Sequence, residues 1–100
     1  MPIQIKKVAD PVVFTNNADI AGAAPSIQVP EKGEATLQLH AGGGKVQAAW
    51  YSPHDHISDL PKINRIVCNP NGEHVDLVVA GLPHHADAVV RIRVYAAVEV

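Results

Sequence analysis

From Val90 to Val100 the chain alternates: Val90, Ile92, Val94, Ala96, Val98 and Val100 fall on one side, Arg91, Arg93, Tyr95 and Glu99 on the other. A two-residue period rich in β-branched side chains describes a strand buried on one face, whereas on a helix it would scatter the valines all round. The same period recurs upstream. Leu37 and Leu39 oppose Thr36, Gln38 and His40; Val46, Ala48 and Trp50 oppose Lys45 and Gln47; Val75, Leu77 and Val79 oppose His74 and Asp76. Shorter candidates are Ile3–Lys7, Val12–Thr15, Ile27–Val29 and Ile63–Cys68. Prolines at 11, 25, 30, 53, 61, 70 and 83 fall at or beside proposed strand ends. Turn signals at Glu31-Lys32-Gly33, Gly42-Gly43-Gly44 and Asn69-Pro70-Asn71-Gly72 separate the strong runs, and the glycine triplet reads as a hairpin. Proline interrupts every window of helical period, so one short turn near Ser52–Ile57 is the most helix expected. Residues 16–25 carry no pattern and read as a long loop. Seven or eight short strands in 100 residues predict one all-β domain, an antiparallel β-sandwich spanning 1–100.

Composition narrows the function classes. The formal net charge is -2, with Lys and Arg scattered, which argues against nucleic acid as a main partner. No apolar run approaches the roughly 20 residues of a membrane span. A single cysteine, Cys68, rules out an internal disulfide. The first residues, Met1-Pro2-Ile3-Gln4-Ile5-Lys6-Lys7, lack the apolar stretch of a secretory signal, so folding in the cytoplasm is expected.

Gly33-Glu34-Ala35-Thr36-Leu37-Gln38-Leu39, followed by Trp50-Tyr51, resembles an immunoglobulin-type domain. Leu77-Val78-Val79-Ala80-Gly81-Leu82, Asp87-Ala88 and Val90-Arg91-Ile92 are similar to the later strands of that family, and Val90–Ala96 also resembles the last strands of fibronectin type III domains. The matching pieces cover about half the chain, between Gly33 and Ala96. The resemblance implies an immunoglobulin-like sandwich in which Leu39 and Ile92 stand where the family has its cysteines, with Trp50 over them in the core. It departs from the family in lacking the bridge and the corner tyrosine. Loss of a bridge costs about 2–5 kcal/mol in a small domain, which Leu37, Leu39, Trp50, Leu77, Leu82 and Ile92 are expected to offset as core residues. A bridgeless core suits a reducing compartment.

Six histidines are the one conspicuous functional residue type. His54 and His56 would point the same way in an extended segment, and a loop bringing His84 beside them would make a three-imidazole site for zinc or copper. Solvated loop histidines are the plainer account. Cys68-Asn69-Pro70 with His74 faintly resembles a copper-ligand loop, but the only methionine is Met1. No base stands near Cys68 to activate it, and no carboxylate spacing singles out an acid–base pair. No catalytic residues and no cofactor are therefore expected. Tyr51, Arg91, Arg93 and Tyr95 could share an exposed face of the kind found at protein interfaces.

The resulting expectation is a non-catalytic structural or interaction module binding a protein partner or itself. Small sandwiches without signal or bridge resemble, in circumstance, the capsid-decoration and surface proteins of tailed phages, which attach to a lattice of other subunits at the virion surface. Two alternatives are a carbohydrate-binding accessory module, using exposed aromatic rings, and a metal-binding domain using His54, His56 and His84.

Overall fold

A computed structural model describes residues 2–16, 24–30, 33–54, 65–82 and 89–100. Among them are seven strands and no helix: β1 Ile3–Thr15, β2 Ser26–Gln28, β3 Glu34–His40, β4 Lys45–Pro53, β5 Arg65–Asn71, β6 His74–Ala80 and β7 Val89–Glu99. They form a four-stranded sheet of order β2-β1-β7-β4 and a three-stranded sheet of order β3-β6-β5. All pairings are antiparallel except β1 with β2. The chain is thus an all-β sandwich, elongated at 46 × 24 × 24 Å.

The alternation of β7 is realised residue by residue. Val90, Ile92, Val94, Ala96 and Val98 are fully buried, and they meet Val75, Leu77 and Val79, fully buried on β6. These central strands are each flanked on both sides, so their inner faces have no route to water. Phe14 and Val12 of β1, Val46 of β4, Ile27 and Val29 complete one wall; Leu39 of β3 completes the other. Leu37 and Leu82 are partly buried against this cluster, as are Ala49, Ile66 and Cys68. Of the six expected core residues, Leu39, Leu77 and Ile92 are buried, and Leu37 and Leu82 pack at the margin.

Trp50 is not in the core. It is 41% exposed, and the cause is one residue. Val46 pairs with Val98, but Ala48 pairs with Ala97, leaving Gln47 as an extra residue in β4. Such a bulge reverses which face each later side chain occupies. Ala49, opposite inward-facing Ala96, takes the buried side, and Trp50 falls opposite outward-facing Tyr95.

Three further expectations are corrected. The glycine triplet does not turn a hairpin, because β3 and β4 belong to different sheets. Gly42, Gly43 and Gly44 have φ of 84°, 102° and 83°, and this left-handed run carries the chain across the sandwich. Gly44 is also needed for space, since a Cβ there would stand 2.6 Å from Val98 Cγ1 and 2.7 Å from the Glu99 carbonyl oxygen. Backbone bonds from Ala41 N–H to the Glu73 oxygen (3.0 Å) and from Val46 N–H to the Gly72 oxygen (2.8 Å) tie both ends of the crossing to the β5–β6 turn. That turn is tighter than expected, since β5 continues through Pro70 to Asn71 and only Gly72 and Glu73 separate it from β6. Pro70 is tolerated because β5 is an edge strand. Likewise Ile3–Lys7 and Val12–Thr15 are one strand, with register shifts around Val8 and between Ala9 and Val12 that accommodate Pro11.

Candidate functional site

Registers on both sides of β7 define the outer face of the larger sheet. Reading across β1, β7 and β4, the outward rows are Ile3–Glu99–Lys45, Ile5–Ala97–Ala48 and Lys7–Tyr95–Trp50. Ile3 and Ile5 are 51% and 64% exposed, and with Trp50 they make an apolar strip along this end of the sheet. The Trp50 and Tyr95 rings are stacked, 6.2 Å between centroids and 18° from parallel. An offset parallel pair of this kind is favourable beyond the area it buries, and it holds both rings in one orientation. Farther along the same face Val13 and Thr15 are buried, so the accessible strip is confined to the end bearing Ile3, Ile5 and Trp50.

At the inner limit of the strip a charged cluster surrounds Asp10. His54 Nδ1 donates to Asp10 Oδ1 at 2.5 Å, and Lys7 Nζ and Arg93 Nε lie 3.4 Å from Asp10 Oδ2. Arg93 also donates to the His54 carbonyl oxygen at 3.4 Å, and the His54 N–H donates to the Arg91 carbonyl oxygen at 3.1 Å. Partial desolvation pushes the Asp10 carboxyl up, but the hydrogen bonds from His54 and Lys7 and the charges of His54 and Arg93 outweigh it, holding the group below its ordinary 3.8. At the opposite limit Gln47 donates to Glu99 Oε2 at 3.0 Å, so the bulge residue serves the rim.

The smaller sheet differs. Its outer face carries Glu34, Gln38, His40, His74, Asp76 and Arg65, which largely satisfy one another: Asn71 and Gln38 donate to the two Asp76 oxygens at 2.9 and 3.4 Å, and Arg65 meets Glu34 at 3.3 Å. His40 and His74 pack edge to face at 4.9 Å as cross-strand partners, and His40 Nδ1 accepts from the Gly42 N–H at 2.9 Å. This pairing needed the β3–β6 register, and no local spacing announces it.

The expected partner-binding residues are brought together in part. Arg91, Arg93 and Tyr95 share the outer face of β7, whereas Tyr51 pairs with Val94 and so lies on the other side of β4, 37% exposed at the sheet edge. Trp50 takes its place. Of the proposed metal ligands, His54 is committed to Asp10, and His56 and His84 lie outside the described residues. Among the described residues no three His, Cys, Asp or Glu side chains are grouped to hold a metal. Burial pushes the Cys68 thiol up to about 11, so at neutral pH it is protonated and a poor nucleophile. No protein-family model, curated protein or solved structure matches the chain.

Proposed function

We propose that this protein is a non-catalytic interaction module that docks onto protein through the Ile3–Ile5–Trp50–Tyr95 end of its larger sheet. One observation carries the reading: the chain's only tryptophan is held in the open, stacked on a tyrosine, on the same sheet face as two exposed isoleucines two strands away. Exposed apolar strips with a polar rim mark interaction sites, and Trp, Tyr and Arg dominate interface energetics. The setting we favour is attachment to a lattice of other subunits, as in the decoration proteins of phage capsids, with folding inside the cell before attachment.

An immunoglobulin-like scaffold fits this role, and the strand order supports it. In that architecture one sheet contains the second, fifth and fourth strands side by side, and the other the third, sixth and seventh. Here β3-β6-β5 and β4-β7 occupy the corresponding places, and β1 lies where the seventh strand would pair with the sixth. The closing strand would then come from the beginning of the chain.

A photo-crosslinking residue replacing Ala97, at the centre of the strip, tests the docking face in cells that make the protein. Adducts to protein should form there and not from Thr36 on the smaller sheet. Absence of adducts at 97, or equal labelling at both positions, would overturn the reading. Exposure of Trp50 also favours a second reading, a carbohydrate platform. The stacked pair covers one face of each ring, leaving at most one face of each for a sugar. Retention on polysaccharide beads that is lost in Trp50→Ala and Tyr95→Ala would decide for carbohydrate.

A further inference from the structure

We infer that the strip is occupied by a second copy of this chain, packed face to face with its strands reversed. The inference rests on the docking reading above and specifies its occupant. Two sheets facing each other about a twofold axis that lies in the interface plane and is centred on β7 have two simple arrangements. If it runs along the strands over β7, each row meets itself, setting Glu99 against Glu99 and Arg93 against Arg93. If it runs across the strands through the Ile5–Ala97–Ala48 row, the rows exchange ends while each strand stays over its own copy.

The second arrangement matches the charges. Tyr95 of one copy then faces Glu99 of the other, and that carboxylate sits between Lys7 and Arg93. Asp10 offsets only one of these two cations: Lys7 and Arg93 give +2, Asp10 gives −1, leaving at least +1 beside the incoming Glu99, to which a protonated His54 would add. Trp50 faces Lys45, an ammonium over an indole. Ile5, Ala97 and Ala48 meet their own copies on the axis, where small side chains permit close approach. Ile3 lies over the aliphatic stem of Lys7. Every residue exposed on the strip thus gains a complementary partner, and the like-charge contacts of the first arrangement are avoided.

The strip is three strands wide and six residues long, roughly 15 by 20 Å at ordinary strand spacings. That lies below the area of a standard stable interface, about 800 Å² per partner. A weak dimer with Kd of about 10⁻⁴ M is expected. Sedimentation velocity between roughly 10 μM and 1 mM tests it, with thermal melts confirming that each variant folds. The protein should pass from monomer to dimer across this range. Glu99→Lys and Lys7→Glu should each weaken association about tenfold, and the double variant should recover it to within about threefold. Trp50→Ala should weaken it by at least about tenfold. A monomer at every concentration, insensitivity to Glu99→Lys, or no recovery in the double variant would overturn the dimer. Adducts from position 97 of about twice the chain mass support it. Adducts only to another protein, with a monomer in solution, overturn it while sparing the docking face, and no adducts at all overturn both.

Discussion

Phe14 and Trp50 flank the same central strand from opposite sides and meet opposite fates. Phe14, opposite Val90, is fully buried; Trp50, opposite Tyr95, is 41% exposed. Neither size nor hydrophobicity separates them, since indole is the larger apolar surface. Position relative to β7 does. A side chain on a flanking strand goes where its partner on β7 goes, and Gln47 decides that partner for Trp50. For these two rings, register rather than chemistry assigns the face each one occupies.

The contrast can be broken most forcefully at Phe14. Phe14→Ala should destabilise by about 3–5 kcal/mol in urea unfolding, whereas Trp50→Ala should cost under about 1 kcal/mol; similar losses would erase the distinction. Next comes Gly44→Ala, where the positive φ and the 2.6 Å approach to Val98 Cγ1 act together. A loss of about 2–3 kcal/mol is expected, against about 1 kcal/mol for Gly43→Ala, where a Cβ meets nothing within 4 Å. Smaller still is the pH effect. Asp10 has a lowered folded pKa, so its contribution is complete above the ordinary 3.8 and disappears as pH falls through the lower folded value. Asp10→Asn should therefore flatten the stability profile below about pH 4 and leave it parallel above; an unchanged acid limb would show that the cluster contributes nothing. The gentlest test deletes Gln47. The remaining strand then pairs regularly with Ala48 still opposite Ala97, so Trp50 should stay outside. Its emission should remain red-shifted and open to iodide in both proteins, and a blue shift would mean that register does not control the indole.

These cases also mark what was legible in the chain. Strands β6 and β7 could be read almost to the residue because each keeps one inward and one outward face along its length with no extra residue of its own. Leu39, Leu77 and Ile92 followed from the same pattern. The flanking strands were harder. Lys45 to Tyr51 alternates as cleanly as β7, and nothing in Gln47 marks it as the residue left over, because a bulge is fixed by the partner strand. The glycine triplet announced a chain reversal but not its direction, since left-handed residues serve a hairpin and a crossing equally. Pro11 looked like a boundary because proline usually ends strands, yet a register shift absorbed it. On the outer face of the larger sheet, Arg91, Arg93 and Tyr95 came straight from parity along β7. Ile3, Ile5 and Trp50 joined them only through pairings between the first, fourth and last strands, information no single segment holds.

The pairing of β1 with β7 has a kinetic corollary. The longest ladder in the molecule joins the segments farthest apart in the polypeptide, so its closure entropy must be met before most of its contacts are made. The β5–β6 hairpin, with a two-residue turn, can assemble without waiting. Refolding should therefore begin at that hairpin and finish slowly for a molecule this small, with the inner surfaces of β7 and β6 uncovered in the interval. Mutations in β1 should then act mainly on the rate of unfolding, and those in the β5–β6 hairpin on the rate of folding.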